Sequence, residues 1–175
     1  SKSPAIFDPL KLRAINAAYI RALPAAEFRR LADPFIDSAV HVDIDRDLLC
    51  QNLQPRCEVL EDIPPQLDFF DAVLPFDTEL YRNKKQKTTP ETAKEALAAL
   101  LPLLEAQTDW SRDAIFEACR DKAAALGVKN GWLLYPLGIA LSGKSRTPGG
   151  GTDLAAMLGR GETLKRLNAA LAQLG

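Results

Sequence analysis

Residues 136–151, PLGIALSGKSRTPGGG, set two cations, Lys144 and Arg146, among five glycines at the point where a helix-compatible apolar run breaks into a loop. Glycine allows positive φ and clears side chains from the path of an approaching ligand. The ammonium and the guanidinium offer charge and donors to phosphates or to base edges. Such a loop suits close contact with RNA. It equally suits a solvated turn between two helices, and on these residues alone the turn is the favoured reading.

The other reactive side chains offer less. Cys50, Cys57 and Cys119 are odd in number and form no CxxC pair, and the single His41 leaves too few partners for a zinc site. Reduced, buried cysteines are expected, and His41 beside Asp43 reads as a surface residue. With no paired nucleophile and no acid and base couple, hydrolytic chemistry has no starting point.

The formal charge of −1 hides an uneven distribution. Residues 33–79 hold 12 acidic and 2 basic side chains, whereas residues 120–175 hold 8 basic and 3 acidic. A polyanion is steered toward the second region. At 175 residues and 47% hydrophobic content the chain can bury one substantial core or two small ones. No apolar run approaches the ~20 residues that span a bilayer. The opening SKSPAIFDP lacks the regions of a secretory signal, so a cytoplasmic location is expected.

The elements that would hold the loop read as helices. Asp8 and Pro9 form a cap and first turn, with Leu12, Ile15, Tyr19 and Leu23 at helical spacing behind them. Pro24 opens a second helix carrying Phe28, Leu31 and Phe35, which Pro34 should end or bend. Capping carboxylates between Asp43 and Asp47 precede a short helix over LLCQNL. After Pro64 and Pro65, Leu67, Phe70 and Leu74 supply a short apolar face. The run RNKKQK, residues 82–87, reads as an exposed connection and marks a domain boundary: residues 1–88 form a leading helix and first bundle, residues 89–175 a second bundle.

In the second bundle Thr89 and Pro90 start a helix with Leu97, Leu100, Leu101 and Leu104 for a core. Ser111 caps another, with Ile115, Ala118, Cys119 and Leu126 on its buried side and Gly127 as its stop. Asp153 starts LAAMLG, and Leu164, Leu167, Leu171 and Leu174 stripe the last helix. Few stretches alternate with period two, so the fold class is all-α, two consecutive helical bundles.

Three segments, SPAIFDPLKLRAINAAYI, LQPRCEVLEDIPPQLDFFD and LYPLGIALSGKSRTPGGGTDLAAMLGRGETLKRL, stand in the order and spacing found in the C-terminal half of bacterial glutamyl-tRNA synthetases. The chain resembles that anticodon-binding region over essentially its whole length. The resemblance implies two helical bundles of a class I aminoacyl-tRNA synthetase, with the anticodon stem-loop of tRNA(Glu) and the enzyme's own N-terminal catalytic domain as partners. It implies a monomer, no membrane, and no cofactor in this fragment, ATP and magnesium belonging to the absent catalytic domain. Motifs of the HIGH and KMSKS kind do not occur here, so the fragment alone should neither adenylate glutamate nor charge tRNA. A helical protein-interaction module that has lost RNA recognition is the alternative.

The resemblance also implies site residues. Arg56 stands where the family reads the third anticodon base, cytosine in glutamate tRNAs. A guanidinium holds only donors, and an unpaired cytosine offers O2 and N3 as acceptors, whereas guanine turns N1–H and N2–H donors toward it. Without the resemblance, Arg56 would be read as a helix-end arginine paired with Glu58 or a neighbouring acid. Thr147, Pro148 and Gly149 match the loop that lies against the first two bases, with Pro148 restricting it in advance. Lys144 and Arg146 are assigned to phosphates, which set register without reading sequence. Where the family commonly has arginine after Pro-Leu, this chain has Gly138. Trp110, Trp132 and Tyr135 could stack on bases, although their helical spacing favours core packing.

Overall fold

The structure, a computed structural model, describes residues 8–175. The Ser-Pro and Phe positions that begin the first family-like segment lie outside the described residues. Asp8 accepts from the amides of Leu10 and Lys11 at 3.1 and 3.3 Å, and Pro9 occupies the first turn of α1, Pro9–Ala22. Capping predicts the helix, but of its apolar stripe only Leu23 rests half-buried on the core. Leu12, Ile15 and Tyr19 are exposed, and Ala17 and Ile20 are buried. Polar hooks decide the face. Arg13 pairs with Glu58 at 2.7 Å and with Asp62, Asn16 donates to the Glu58 carbonyl, and Gln54 Nε2 donates to the carbonyls of Ile20 and Leu23.

The second helix, α2 (Ala25–Asp37), buries Phe28, Ala32 and Ile36, and continues through Pro34 rather than ending there. Pro34 and Arg30 are both exposed, so the carbonyl that the proline leaves without a donor can be met by water. Asp45 caps α3 (Arg46–Leu53) by accepting from Leu48 N at 3.0 Å. Short 3-10 turns follow at Gln54–Arg56, Leu60–Asp62, Pro64–Gln66 and Thr78–Tyr81. Between them Leu67, Phe69 and Phe70 are buried, whereas Leu74, expected beside them, is exposed. Residues 72–77 are not helical, so a helical spacing does not place Leu74 on the same face.

Residues 82–87 form a turn closed by paired backbone bonds between Asn83 and Thr88, 3.1 and 3.0 Å long. Thr89 then caps α4 (Pro90–Ala106), which buries Leu97, Leu100 and Leu104 together with Ala93 and Ala96, while Leu101 is half-buried. Helix α5 (Arg112–Leu126) starts at Ser111 and stops at Gly127, burying Ile115 and Cys119. Leu126, its last residue, is exposed, contrary to expectation, because the helix ends there at the surface. Helix α6 (Asn130–Ser142) is apolar on every side and packs against α4, α5, α7 (Gly151–Leu158) and α8 (Arg160–Leu174), as a central helix must. Along α8, Leu167 is buried and Leu164, Leu171 and Leu174 rest half-buried on the core.

One set of touching buried residues runs from Ile20 to Ala170, through both halves of the chain. A backbone bond, a side-chain amide and a buried arginine fasten the halves. Asp45 N donates to Met157 O at 3.0 Å, and Gln173 Nε2 donates to Phe76 O at 2.9 Å. Arg166, 4% exposed, donates to the carbonyls of Phe69, Phe70 and Leu141 at 2.7–2.8 Å and pairs with Glu162 at 2.9 Å. No helix among the described residues is long and apolar enough to cross a membrane.

Candidate nucleic-acid interface

Arg56 closes the 3-10 turn that prolongs α3, and that position carries its side chain into solvent. It makes no ion pair or side-chain hydrogen bond among the described residues. Glu58, the acid that would have neutralised it, is held by Arg13 instead. A guanidinium without a protein partner keeps all five donors for a ligand.

Asn52, one turn back on α3, borders the loop between α6 and α7. A Cβ built on Gly149 would stand 3.0 Å from Asn52 Oδ1 and 2.7 Å from Asp153 Cβ, and its φ of +102° is one that L side chains avoid. Glycine is therefore required there for both space and backbone. Thr147 Oγ1 donates to the Gly149 carbonyl at 2.7 Å, folding the turn on itself. The Gly150 amide donates to Asp153 Oδ2 at 2.9 Å, while Asp153 Oδ1 accepts from Arg112 Nε at 3.0 Å. One carboxylate thus ties the turn to the first residue of α5. Behind it, a Cβ on Gly151 would come within 2.8 Å of the Leu134 carbonyl oxygen and 3.0 Å of Gly138 N, so α7 begins in direct contact with α6.

These pieces surround one open cavity of about 870 Å³. Its wall brings together Arg56, Lys144, Arg146, Thr147 and Gly149, residues up to 93 positions apart, and adds Arg112 and Asp153. Of the four cations lining it, Lys144 pairs with Asp68 and Arg112 with Asp113 and Asp153, which leaves Arg56 and Arg146 as the unmatched charges that attract a polyanion. Pro148 is different: it is buried and takes no part in the wall, so it holds the turn from behind. Arg146 is exposed and unpaired among the described residues. Lys144 is half-buried, its ammonium 2.8 Å from Asp68 Oδ1 and 3.2 Å from the Pro65 carbonyl, so a phosphate would compete with Asp68 for it. Gly138 lines the cavity, and a Cβ there would lie at an ordinary 3.8 Å from Gly151 N.

The aromatic candidates pack. Trp110 Nε1 donates to the Ala155 carbonyl at 2.9 Å, Tyr135 Oη donates to the Leu80 carbonyl at 2.8 Å, and Trp132 rests on the core. Tyr135 also shows one side to the cavity. All three cysteines are buried and unpaired, and burial pushes each thiol up to about 11. His41 is exposed, as expected, with its Nδ1 2.6 Å from Asp71 Oδ2. That ring contact, with the His41 amide, holds the Asp71 carboxyl below its usual range. Sequence reasoning missed Arg112 and Asp153. The spacing of Gly150 and Asp153, a helix cap and its third residue, was a signal for the second of them; Arg112 reaches the cavity through tertiary packing alone.

Comparison with known proteins shows the family to which the chain is related. A glutamate–tRNA ligase from the Hall strain of Clostridium botulinum is 42% identical over 174 residues, which cover 99% of this chain and 36% of that protein. One from Clostridium acetobutylicum is 39% identical over 175 residues, again 36% of its length. The crystal structure of a glutamate tRNA ligase from Elizabethkingia meningosepticum in complex with its amino acid superposes with a TM-score of 0.82 at 25% identity, covering 99% of this chain and 34% of that one. The chain therefore spans about a third of the length of the relatives it matches. Residues 15–171 match the anticodon binding domain family, and the chain belongs to it.

Proposed function

We propose that this chain binds the anticodon arm of tRNA(Glu) as the anticodon-binding part of a cytoplasmic, monomeric glutamate–tRNA ligase. Arg56 takes the third base, the Thr147–Gly149 turn lies against the first two, and Arg146 meets the backbone. ATP, magnesium and amino-acid activation belong to the remainder of the ligase. The observation that carries the reading is the shared cavity: an unpaired guanidinium and a stiffened turn from distant parts of the chain face one cationic space. Lys144 then serves chiefly to tether the loop through Asp68.

Fluorescence titration of a labelled stem-loop bearing the glutamate anticodon, repeated across salt concentrations, tests the reading. Binding should weaken with salt because phosphate contacts release counterions, and Arg146→Ala should flatten that dependence by about one phosphate equivalent. Absence of binding at low salt would contradict it and favour the helical protein-interaction alternative.

A further inference from the structure

The cavity continues past the turn. Beyond Gly150 its wall consists of Arg112 and Phe116 from α5, Leu134 and Tyr135 from α6, and Gln86 beside Gly131. None of these residues is used by the three-base reading. Arg112 lies over the Phe116 ring with its guanidinium carbon 5.1 Å from the ring centroid. An arginine lying over an aromatic ring can offer its outer face as a platform for a base, and unpaired RNA bases are commonly stacked on guanidinium groups. Arg112 Nε donates to Asp153 at 3.0 Å and Nη1 to Asp113 at 3.1 Å, which hold the guanidinium in place. The carboxamide of Gln86, half-buried over Gly131, makes no side-chain hydrogen bond among the described residues. It therefore retains both a donor and an acceptor, a pattern able to pair with a base edge.

We infer that this end of the cavity holds one further nucleotide, the one immediately 5′ of the anticodon triplet, with its base on the Arg112–Phe116 plane and its edge toward Gln86. The inference rests on the function proposed above. With the third base at Arg56 and the first two at the turn, the strand runs toward its 5′ side as it passes from Arg56 through Gly149 and Asp153 to Arg112. Contacts follow the same order, Asn52 to Gly149, Gly150 to Asp153, Asp153 to Arg112, and Arg112 to Phe116. Apolar surface and a free amide at the end of a cationic groove suit an unstacked base better than a phosphate.

The test is a cycle between the RNA and the protein. Stem-loops with the glutamate anticodon are prepared intact, abasic at the 5′ neighbour of the triplet, and abasic at its 3′ neighbour, and are titrated against the chain and its Phe116→Leu and Gln86→Ala variants. Thermal melts confirm that both variants remain folded. Loss of the 5′ base should weaken binding roughly five- to 150-fold, the range for a base stacked on a side chain. On that abasic loop, neither substitution should weaken binding further. Losses that multiply independently, or a loss at the 3′ neighbour alone, would overturn the inference while leaving triplet reading intact. If the unmodified chain binds no stem-loop at all, the proposed function fails first and this inference falls with it.

Discussion

At the scale of single residues, the division of labour at the cavity follows from which polar groups are already satisfied. Arg56 and Arg146 have no protein partner among the described residues, whereas Lys144 has Asp68, and Asp153 is shared between Gly150 and Arg112. Asp153 is thus a positioning residue: it sets the turn without needing to touch RNA. Asp153→Asn keeps an acceptor for one neighbour but loses the charge-assisted bond to Arg112, a contact of about 1.5–3 kcal/mol. Binding of all anticodon sequences should fall together, with Asp153→Glu restoring less than half of the loss; titrating loops that differ in the triplet would detect any selective effect. The reading of Arg56 as a base reader came only through the family resemblance, since local chemistry favoured an ion pair with Glu58. That ion pair does not form, because Arg13, 43 positions away, occupies the acid. The place of Pro148 was not legible, because a proline's stiffness is visible in sequence but the side it turns to solvent is not.

At the scale of elements, caps and breakers told more than apolar spacing did. Asp8, Asp45, Thr89 and Ser111 all act as the side-chain caps that their positions suggest. Those bonds are local and need no knowledge of the fold. Which face of a helix turns inward is a tertiary matter, and on α1 the inward face is fixed by Arg13, Asn16 and Gln54 at the expense of Leu12, Ile15 and Tyr19. Helix α6 carries the element-scale prediction. Gly138 sits mid-helix with room for a methyl group, so Gly138→Ala should stabilise the chain by about 0.5–1 kcal/mol through helix propensity. Urea unfolding measures this, and a destabilisation would mean that the contact between α6 and α7 tolerates no added atom.

At the scale of the whole molecule, the halves on either side of residues 82–87 are joined by a continuous core and by Arg166. Removing that buried guanidinium leaves Glu162 and the carbonyls of Phe69, Phe70 and Leu141 without a partner. Arg166→Leu should therefore cost about 3–5 kcal/mol in urea unfolding. Trp110 and Trp132 report from the second half and the buried thiols of Cys50 and Cys57 from the first. In the unsubstituted chain, fluorescence and thiol labelling should follow one transition, and separated midpoints would mean that the halves unfold apart. The same joining holds Arg56 and the Thr147–Gly149 turn on one cavity wall, which is the basis of the proposed triplet reading. Its most direct test compares stem-loops whose third anticodon base is cytosine or guanine, each titrated with the chain and with Arg56→Ala. The account predicts a preference for cytosine of about five- to 150-fold, from ~1–3 kcal/mol of base contact, that largely disappears on substitution. Equal losses for both loops, with the preference intact, would contradict it.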